Sequence, residues 1–299
     1  MRIVVNSNMA SLLAQKNFVK ATNGINTALE RLSSGYRINN SSDDAAGLSI
    51  AEGLMNQLKG DATAKDNAQL GINLLQTAEG DLSVIQENLQ RIRDLTIYAA
   101  NGTYGTSERN SLKKEIQERL RENDRVSSMS RFNKISLLDG SSTGMVLQIG
   151  ASHGSINNLK IGSALICAIS SNIGLKNILS HYNSSSAAAS CLDDIDSAIE
   201  MVSMQRSSIG ALQNRLNSTL TSLNITSENL EAAISSIRDV DIAKEAASLT
   251  KNQILQQVSD SLLAQGTHLL LRPRVEKARQ DVRRSKESRI FYTLPWQYC

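Results

Sequence analysis

The chain has 299 residues and 40% of them are hydrophobic, which is enough apolar material for a folded core. Aromatic residues make up only 3% and there are two prolines, so helices are favoured over an all-β sandwich. The net charge of +3 is uneven, because residues 266–299 carry eight Lys or Arg against three acids and residues 1–265 carry 24 against 26. The balanced body excludes general nucleic-acid binding.

Amphipathic helices are predicted near the N-terminus. Apolar residues recur there at helical spacing and continue after a break in phase: Val5, Met9, Leu12, Val19, Ile25, Leu29 and Leu32. Polar residues at positions 6–8 interrupt the apolar stretch that a signal peptide would need. We expect helices that expose an apolar face when alone and therefore favour self-association.

Two further helices are predicted over residues 72–95 and from a capping Ser107 onward. The first has an apolar stripe spaced by three or four residues: Ile72, Leu75, Ala78, Leu82, Ile85, Leu89, Ile92 and Leu95. Gly71 and Gly80 interrupt good helix formers, which indicates close packing, and Gly102 is placed to end this helix. The second helix carries Leu112, Ile116 and Leu120.

Helical spacing fades between residues 137 and 190. Asp139-Gly140, followed by alternating apolar residues, predicts a small β-hairpin. The Ser-rich segment 184–190 is predicted to be a mobile connection.

The second half of the chain carries the strongest pattern, an apolar residue at every seventh position: Ile195, Val202, Ile209, Leu216, Leu223, Leu230 and Ile237. This pattern predicts one long helix that packs along the stripe of residues 72–95. At about 1.5 Å per residue the stripe is on the order of 63 Å long, which indicates a rod. The predicted fold class is therefore mainly α, a long helical hairpin or coiled-coil rod with a small β-hairpin region.

No catalytic, cofactor or metal site is predicted. The histidines at positions 153, 181 and 268 lie in unrelated contexts, and no phosphate-binding glycine motif is present. The cysteines at 167, 191 and 299 are widely spaced, so we expect free thiols. The acid pairs Asp43-Asp44 and Asp193-Asp194 each precede a helical pattern and are interpreted as helix caps. The longest apolar run has six residues, against about 20 for a membrane span.

Residues 31–54, RLSSGYRINNSSDDAAGLSIAEGL, closely resemble the N-terminal signature of bacterial flagellin. The segments NLQRIRDLTIYAANGT at 88–103, EIQERLRENDRVSSMSRFNKISLLDG at 115–140 and SENLEAAISSIRDVDIAKEAASLTKNQILQQ at 227–257 extend this resemblance. It covers residues 1 to about 265.

The resemblance implies a structural subunit of the flagellar filament that self-assembles into a helical tube for swimming, in a compact form without outer domains. Residues 1–42 and 255–265 would form the terminal domain of the inner tube, with helices that pair on assembly. Residues 43–254 would form the rod, with an irregular or β region at about 137–190, and Ser33 to Gly47 would be the connecting spoke. Residues 266–299 would be an atypical basic tail.

The resemblance also implies partners and a location. The partners are further copies of the chain, the flagellar cap, junction proteins and an export chaperone. The location is the extracellular flagellum, reached through the flagellar channel without a cleaved signal peptide. A host Toll-like receptor recognises flagellins, and its contact motif maps onto Arg91, Leu95 and Glu115. Alternatively, Leu95 is rod core and Arg91 and Glu115 form an exposed ion pair. No membrane insertion is implied.

Other interpretations remain open. A flagellar hook-filament junction protein shares the terminal signature but would match residues 88–140 less closely. A chemotaxis-receptor type of signalling hairpin would need a membrane anchor. The tail is either a frameshifted or fused extension or a solvated basic arm. Gly266 and Pro273 should interrupt the final helix and leave an apolar remnant of Ile254, Leu255, Val258, Leu262 and Leu263.

Overall fold

The structure is a computed structural model that describes residues 9–165 and 167–265. The described part is mainly helical, as predicted, with α1 at Met9–Ser34, α2 at Ala45–Ala100, α3 at Thr106–Met129, α4 at Ser185–Arg238 and α5 at 242–265. Four short strands lie between α3 and α4: β1 at Arg131–Phe132, β2 at Ile135–Ser136, β3 at Val146–Gln148 and β4 at Asn158–Lys160. No helix in these ranges is long and apolar enough to cross a membrane.

The described residues divide into two compact units. The terminal unit comprises 9–51 and 234–265, and the central unit comprises 52–233. From the sequence we expected the terminal domain to end near residue 42 and the rod to end near residue 254.

In the central unit, α2 and α4 form an antiparallel helical hairpin. Arg93 Nε lies 2.6 Å from Asp196 Oδ1, and Gln86 Nε2 lies 3.3 Å from Ser203 Oγ. Gly71 permits a close approach, because a Cβ there would stand 2.2 Å from Leu147 Cδ1. The close packing expected at Gly80 is absent, because a Cβ there would meet nothing within 4 Å. The predicted stripe of residues 72–95 is buried along its whole length. Ile116 and Leu120 of α3 join the same core.

The seven-residue stripe of α4 is buried over only part of its length. Ile195, Val202, Ile209 and Leu216 are fully buried. Leu223, which we expected to be buried, is half-buried, as are Leu230 and Ile237. The continuous core ends at Ala68 on α2 and Leu216 on α4. Beyond this point a two-helix seam covers a leucine on one side only, which leaves the other side in water.

Of the two acid pairs that were predicted to cap helices, one contains a cap and the other does not. Asp44 caps α2, because its Oδ1 accepts a hydrogen bond from the Gly47 amide at 2.9 Å. Asp193 and Asp194 lie inside α4, which begins earlier and is capped by Ser184 Oγ, 3.2 Å from the Ala187 amide. The segment 184–190 is therefore the start of a helix and not a connection. The Ala188 and Cys191 side chains are buried in the core, and this packing stabilises the helix near its N-terminal end.

Two smaller expectations about helix ends were also wrong. The cap residue of α3 is Gly105, with no side-chain hydrogen bond, and Ser107 lies inside the helix. After α2, Gly102 does not take a positive φ. Asn101 Oδ1 accepts a hydrogen bond from the Thr103 amide at 3.1 Å instead. This side-chain turn ends the helix in place of the expected left-handed glycine.

The β region contains two hairpins where one was predicted. The expected hairpin pairs β3 with β4 in antiparallel register, Val146 opposite Lys160. Asp139-Gly140 forms a turn before it, with Gly140 at φ 88°. The hairpin of β1 and β2 was missed. Its turn residues Asn133 and Lys134 have φ of 46° and 67°, a conformation usually signalled by a glycine that this turn lacks.

Candidate assembly surface

In the terminal unit, α1 and α5 pair side by side in antiparallel orientation. Thr22 Oγ1 lies 3.0 Å from Gln256 Nε2, and Arg31 Nη1 lies 3.9 Å from Glu245 Oε2. The residue number on α5 falls as the number on α1 rises, which defines the orientation. At Gly24 a Cβ would stand 2.6 Å from Asn252 Nδ2, so the two helices are in close contact there.

Small residues form the seam of this helix pair. Ala14, Ala21 and Ala28 are buried at intervals of seven, and Ser259 of α5 is buried as well. A seam of alanine and glycine lets two helices approach closely, but it buries little apolar area. The sequence interpretation overlooked these alanines because it followed the larger apolar residues.

The large apolar residues of α1 point away from the seam. Met9 is 70% exposed, and four others are at least half exposed: Leu12, Leu13, Val19 and Leu29. Residue Val5 of the predicted pattern lies outside the described residues. Ile25 and Leu32 of the pattern are half-buried, so most of the apolar face that the sequence predicts, but not all of it, is a surface of the described unit.

Helix α5 repeats this arrangement. Ile242, Ile254, Leu255, Val258 and Leu262 are all about half exposed, and Leu263 is half-buried. Together the two helices expose ten large apolar side chains. Full burial of one such side chain stabilises by about 1.5–3 kcal/mol, so covering the exposed parts would contribute on the order of 10 kcal/mol. An exposed apolar face of this kind marks an interaction site.

The segment between α1 and α2 is held to the end of α4. Tyr36 and Asp239 form an isolated antiparallel bridge, and the Val240 amide donates to the Gly35 carbonyl at 3.0 Å. Gly35 has φ 76°, which ends α1 in the left-handed conformation that glycine allows. The guanidinium of Arg238 lies 4.4 Å from the centre of the Tyr36 ring. These contacts fall within the predicted spoke, Ser33 to Gly47.

Asp43 closes a local turn in the same segment. Its Oδ2 accepts hydrogen bonds from the amides of Asn40 at 3.0 Å and Asn39 at 3.1 Å. These two backbone donors stabilise the ionised form and lower the pKa of the Asp43 carboxyl. Together with the helix cap at Asp44, this accounts for the acid pair without a metal ion.

The proposed immune-contact residues separate into two environments. Arg91 Nη2 lies 3.0 Å from Glu115 Oε1, and both side chains are exposed, so they form a surface ion pair between α2 and α3. Leu95 is 1% exposed and belongs to the core of the central unit. Leu95 therefore cannot touch a partner at the surface, and only Arg91 and Glu115 are accessible.

The described residues contain no cluster of three or more His, Cys, Asp or Glu side chains that could hold a metal ion. Cys167 and Cys191 are free thiols, and burial raises the pKa of the Cys191 thiol. His181 Nδ1 contacts the Asn177 carbonyl and Ser180 Oγ, both at 3.1 Å, an arrangement that closes a local turn. His268, Cys299 and the tail 266–299, with Gly266 and Pro273, lie outside the described residues.

Comparison with protein families gives two matches. The bacterial flagellin N-terminal helical region matches residues 5–143, and the bacterial flagellin C-terminal helical region matches residues 192–270. The first match includes the segment 88–140, which a junction protein would be expected to match less closely.

Several known proteins are similar in sequence to this chain along most of their length. A flagellin of Halalkalibacterium halodurans is 40% identical over 263 residues, which cover 88% of this chain and 95% of the relative. A flagellin of Bacillus subtilis is 38% identical, with 87% and 95% covered. The flagellar filament 33 kDa core protein of Treponema phagedenis is 36% identical, with 88% and 96% covered.

Among solved structures, a putative flagellar hook-associated protein from Vibrio parahaemolyticus aligns with a TM-score of 0.55. The alignment covers 66% of this chain and all of that one at 14% identity, so it shows a likeness of fold alone. The family matches and the long alignments with filament proteins identify the chain as a member of the bacterial flagellin family.

Proposed function

We infer that the chain is a structural subunit of the bacterial flagellar filament and that the exposed apolar faces of α1 and α5 are where copies meet. The single observation that carries the second part is the outward position of the large apolar residues, such as Met9 and Leu12, beside a seam made of alanines. A helix pair with so small a seam gains most of its stability when neighbours cover the other faces.

The geometry of such an assembly follows from the kind of contact. One copy presents a face to a different face of the next, and a contact of this heterologous type continues as an open helical array when the rotation does not close. The role is structural, so the proposal assigns no catalytic chemistry to the chain.

The test is a serine substitution at the exposed face. Leu12→Ser should raise the concentration needed for polymerisation by about tenfold, since it removes roughly 1–2 kcal/mol of apolar burial at each contact. The melting temperature of the monomer should not change, because Leu12 is exposed there. Asn17→Ala, at an exposed polar position of the same helix, is the matched control. Equal polymerisation of the Leu12→Ser variant and the unmodified chain would contradict the proposal.

We further propose that the chain reaches the extracellular flagellum through the flagellar channel, keeps its N-terminus, and meets the cap, junction proteins and an export chaperone. The support is the family membership together with the apolar terminal helices, which suit a chain that folds on assembly. Mass spectrometry of shed filaments should find peptides that begin within the first two residues. A mature N-terminus beyond residue 8 would contradict export without cleavage.

Recognition by a host Toll-like receptor is proposed for the exposed pair Arg91 and Glu115. Arg91→Ala should weaken receptor signalling and leave the central unit folded, since the pair is exposed and contributes under about 1 kcal/mol to stability. Arg93→Ala is the matched control, because Arg93 forms a similar exposed pair with Asp196. Equal signalling by the Arg91→Ala and Arg93→Ala variants would contradict the proposal.

A further inference from the structure

A polar crevice in the central unit is left unused by the proposed assembly of α1 and α5. It lies between α2, α4 and the loop that joins β3 to β4, and its volume is about 360 Å³. Asp61 lines it from α2, Gly150 and Ile156 from the loop, and Arg215, Thr219 and Thr226 from α4.

Asp61 carries the main argument. The residue is only 4% exposed, and its Oδ2 atom is enclosed without a hydrogen-bond partner. No ion pair to Asp61 occurs within residues 9–165 and 167–265. A buried carboxylate oxygen without a donor or a counter-charge is destabilising, so a cationic donor that reached Asp61 through the crevice would stabilise it.

Thr219 and Thr226 line the same crevice as Asp61 and can accept hydrogen bonds there. The hydroxyls of Thr219 and Thr226 each donate to the carbonyl four residues earlier, at 3.0 Å. Their remaining lone pairs can only accept. Gly71 approaches Leu216 in this antiparallel hairpin, so Asp61, ten residues before Gly71, is level with Thr226. Arg215 lines the same crevice, but its position on α4 is eleven residues from Thr226, which is about 16 Å along the helix. No ion pair joins it to Asp61 in the described residues.

The loop at the rim is held in place. Gly60 lets it approach α2, because a Cβ there would stand 2.6 Å from Ala151 Cβ. The amide side chains of Gln148 and Asn157 donate to the carbonyls of Gly150 at 2.7 Å and Ser152 at 2.8 Å. Ile156 projects from this loop and is 89% exposed. The crevice thus combines a buried negative charge with an apolar rim.

The ion pairs of the described residues all use arginine. The lysines of the described residues thus form no ion pair within the subunit. We propose that the Asp61 crevice binds the side chain of a lysine from a second copy of this chain. The ammonium donates to Asp61, and the aliphatic stem of the lysine packs on Ile156. This inference rests on the proposed filament assembly and adds to it a contact made by the central unit.

The first test compares Asp61→Asn with Asp66→Asn, which removes the same charge from an exposed position of the same helix. In filaments of the full chain, Asp61→Asn should raise the critical concentration by about tenfold or more. In the monomer it should leave the melting temperature equal or raise it, because the unpaired buried charge is gone. Asp66→Asn should change neither value appreciably.

Opposite effects on monomer and filament support the inference. If the critical concentration of Asp61→Asn equals that of the unmodified chain, or if monomer and filament lose stability together, the inference is overturned. Filament formation by itself separates the two proposals: if neither the unmodified chain nor the chain with residues 266–299 replaced forms filaments, the assembly itself fails and the contact with it.

The second test identifies the partner. Filaments are grown from a mixture of ¹⁵N-labelled and unlabelled chains and treated with a carbodiimide, which joins a carboxylate to a lysine amine with loss of water. Mass spectrometry should find Asp61 joined to a lysine of the other isotopic label in filaments and not in monomers. A link from Asp61 only within one label would overturn the inference.

Discussion

At the scale of single residues, alanine decides how α1 packs. Ala14, Ala21 and Ala28 occupy the seam with α5, while Met9 and Leu12 face outward. In an isolated globular protein the larger residues would be expected inside, because they gain more from burial. The inverted arrangement is reasonable for a subunit whose neighbours supply the rest of the core.

Two leucines of α4, one heptad apart, test how far the core extends. Leu216 is fully buried and Leu223 is half-buried. Leu216→Ala should cost about 2–5 kcal/mol of unfolding free energy. Leu223→Ala should cost less than half as much, because it leaves no enclosed cavity. Urea unfolding of the two variants measures the difference, and equal costs would mean that the core continues past Leu216.

Tyr182 predicts a pH dependence. Its hydroxyl lies 2.6 Å from Thr96 Oγ1, which itself donates to the Ile92 carbonyl at 2.7 Å, so Tyr182 donates to Thr96. Burial raises the pKa of Tyr182 from its ordinary value of 10.0 to about 12. The folded pKa is above the unfolded one, so this contribution to stability is complete below pH 10 and is lost as the pH rises through 12.

Tyr182→Phe should therefore flatten the fall of unfolding free energy between about pH 10 and about pH 12. At neutral pH the substitution should cost about 1 kcal/mol for the lost hydrogen bond. The exposed Tyr98 provides the control variant Tyr98→Phe. If the unfolding free energy of Tyr182→Phe falls with pH as steeply as that of the unmodified chain, a group other than Tyr182 causes the fall.

At the scale of elements, polar side chains connect α2 and α4 where the apolar stripe is interrupted. Arg206 Nη1 donates to Gln86 Oε1 at 2.6 Å, and Gln213 Nε2 donates to Glu79 Oε2 at 3.3 Å. In the sequence these two residues only dilute the heptad pattern. In the structure they pair residues of opposite helices, and a displacement of one helix along the other would break every such bond together.

Hydrogen exchange tests the difference between elements. In dilute monomer the amides of α1 and α5 should exchange far faster than those of residues 195–237, because the alanine seam buries little apolar area. Protection of α1 should rise when filaments form. Slow exchange of α1 in the monomer would contradict folding on assembly. The amides of α3 are the control, because fast exchange there would mean that the whole monomer is destabilised.

At the scale of the whole molecule, the chain brings its two ends into one unit. Residues 9–51 and 234–265 form the terminal unit around the contacts of α1 with α5. The family match to the C-terminal region extends to residue 270, a few residues into the segment that departs from the family pattern. The tail that follows carries both prolines, the only Trp and most of the excess positive charge.

Replacing residues 266–299 by an ordinary flagellin ending should improve polymerisation of the purified chain. The physical reason is that Gly266 and Pro273 are expected from the sequence to interrupt the final helix. Electron microscopy and light scattering measure the yield of filaments. Robust filaments from the unmodified chain, equal to those of the replaced chain, would show that the tail is tolerated.

The sequence by itself determined the helices, the family and the buried stripe of residues 72–95, because helical periodicity and family motifs are local properties of the chain. It also located strand β3 and the capping role of Asp44, but it placed the turn of the hairpin at Asp139-Gly140, which lies before β3. It did not locate the start of α4 at Ser185 or the turn at Asn133 and Lys134, where local composition resembles a loop and lacks the usual glycine. Only the tertiary structure decided which face of α1 is outward and that Asp61 lacks a partner. Both depend on contacts between residues far apart in the chain, and periodicity along one helix carries no information about what packs against it.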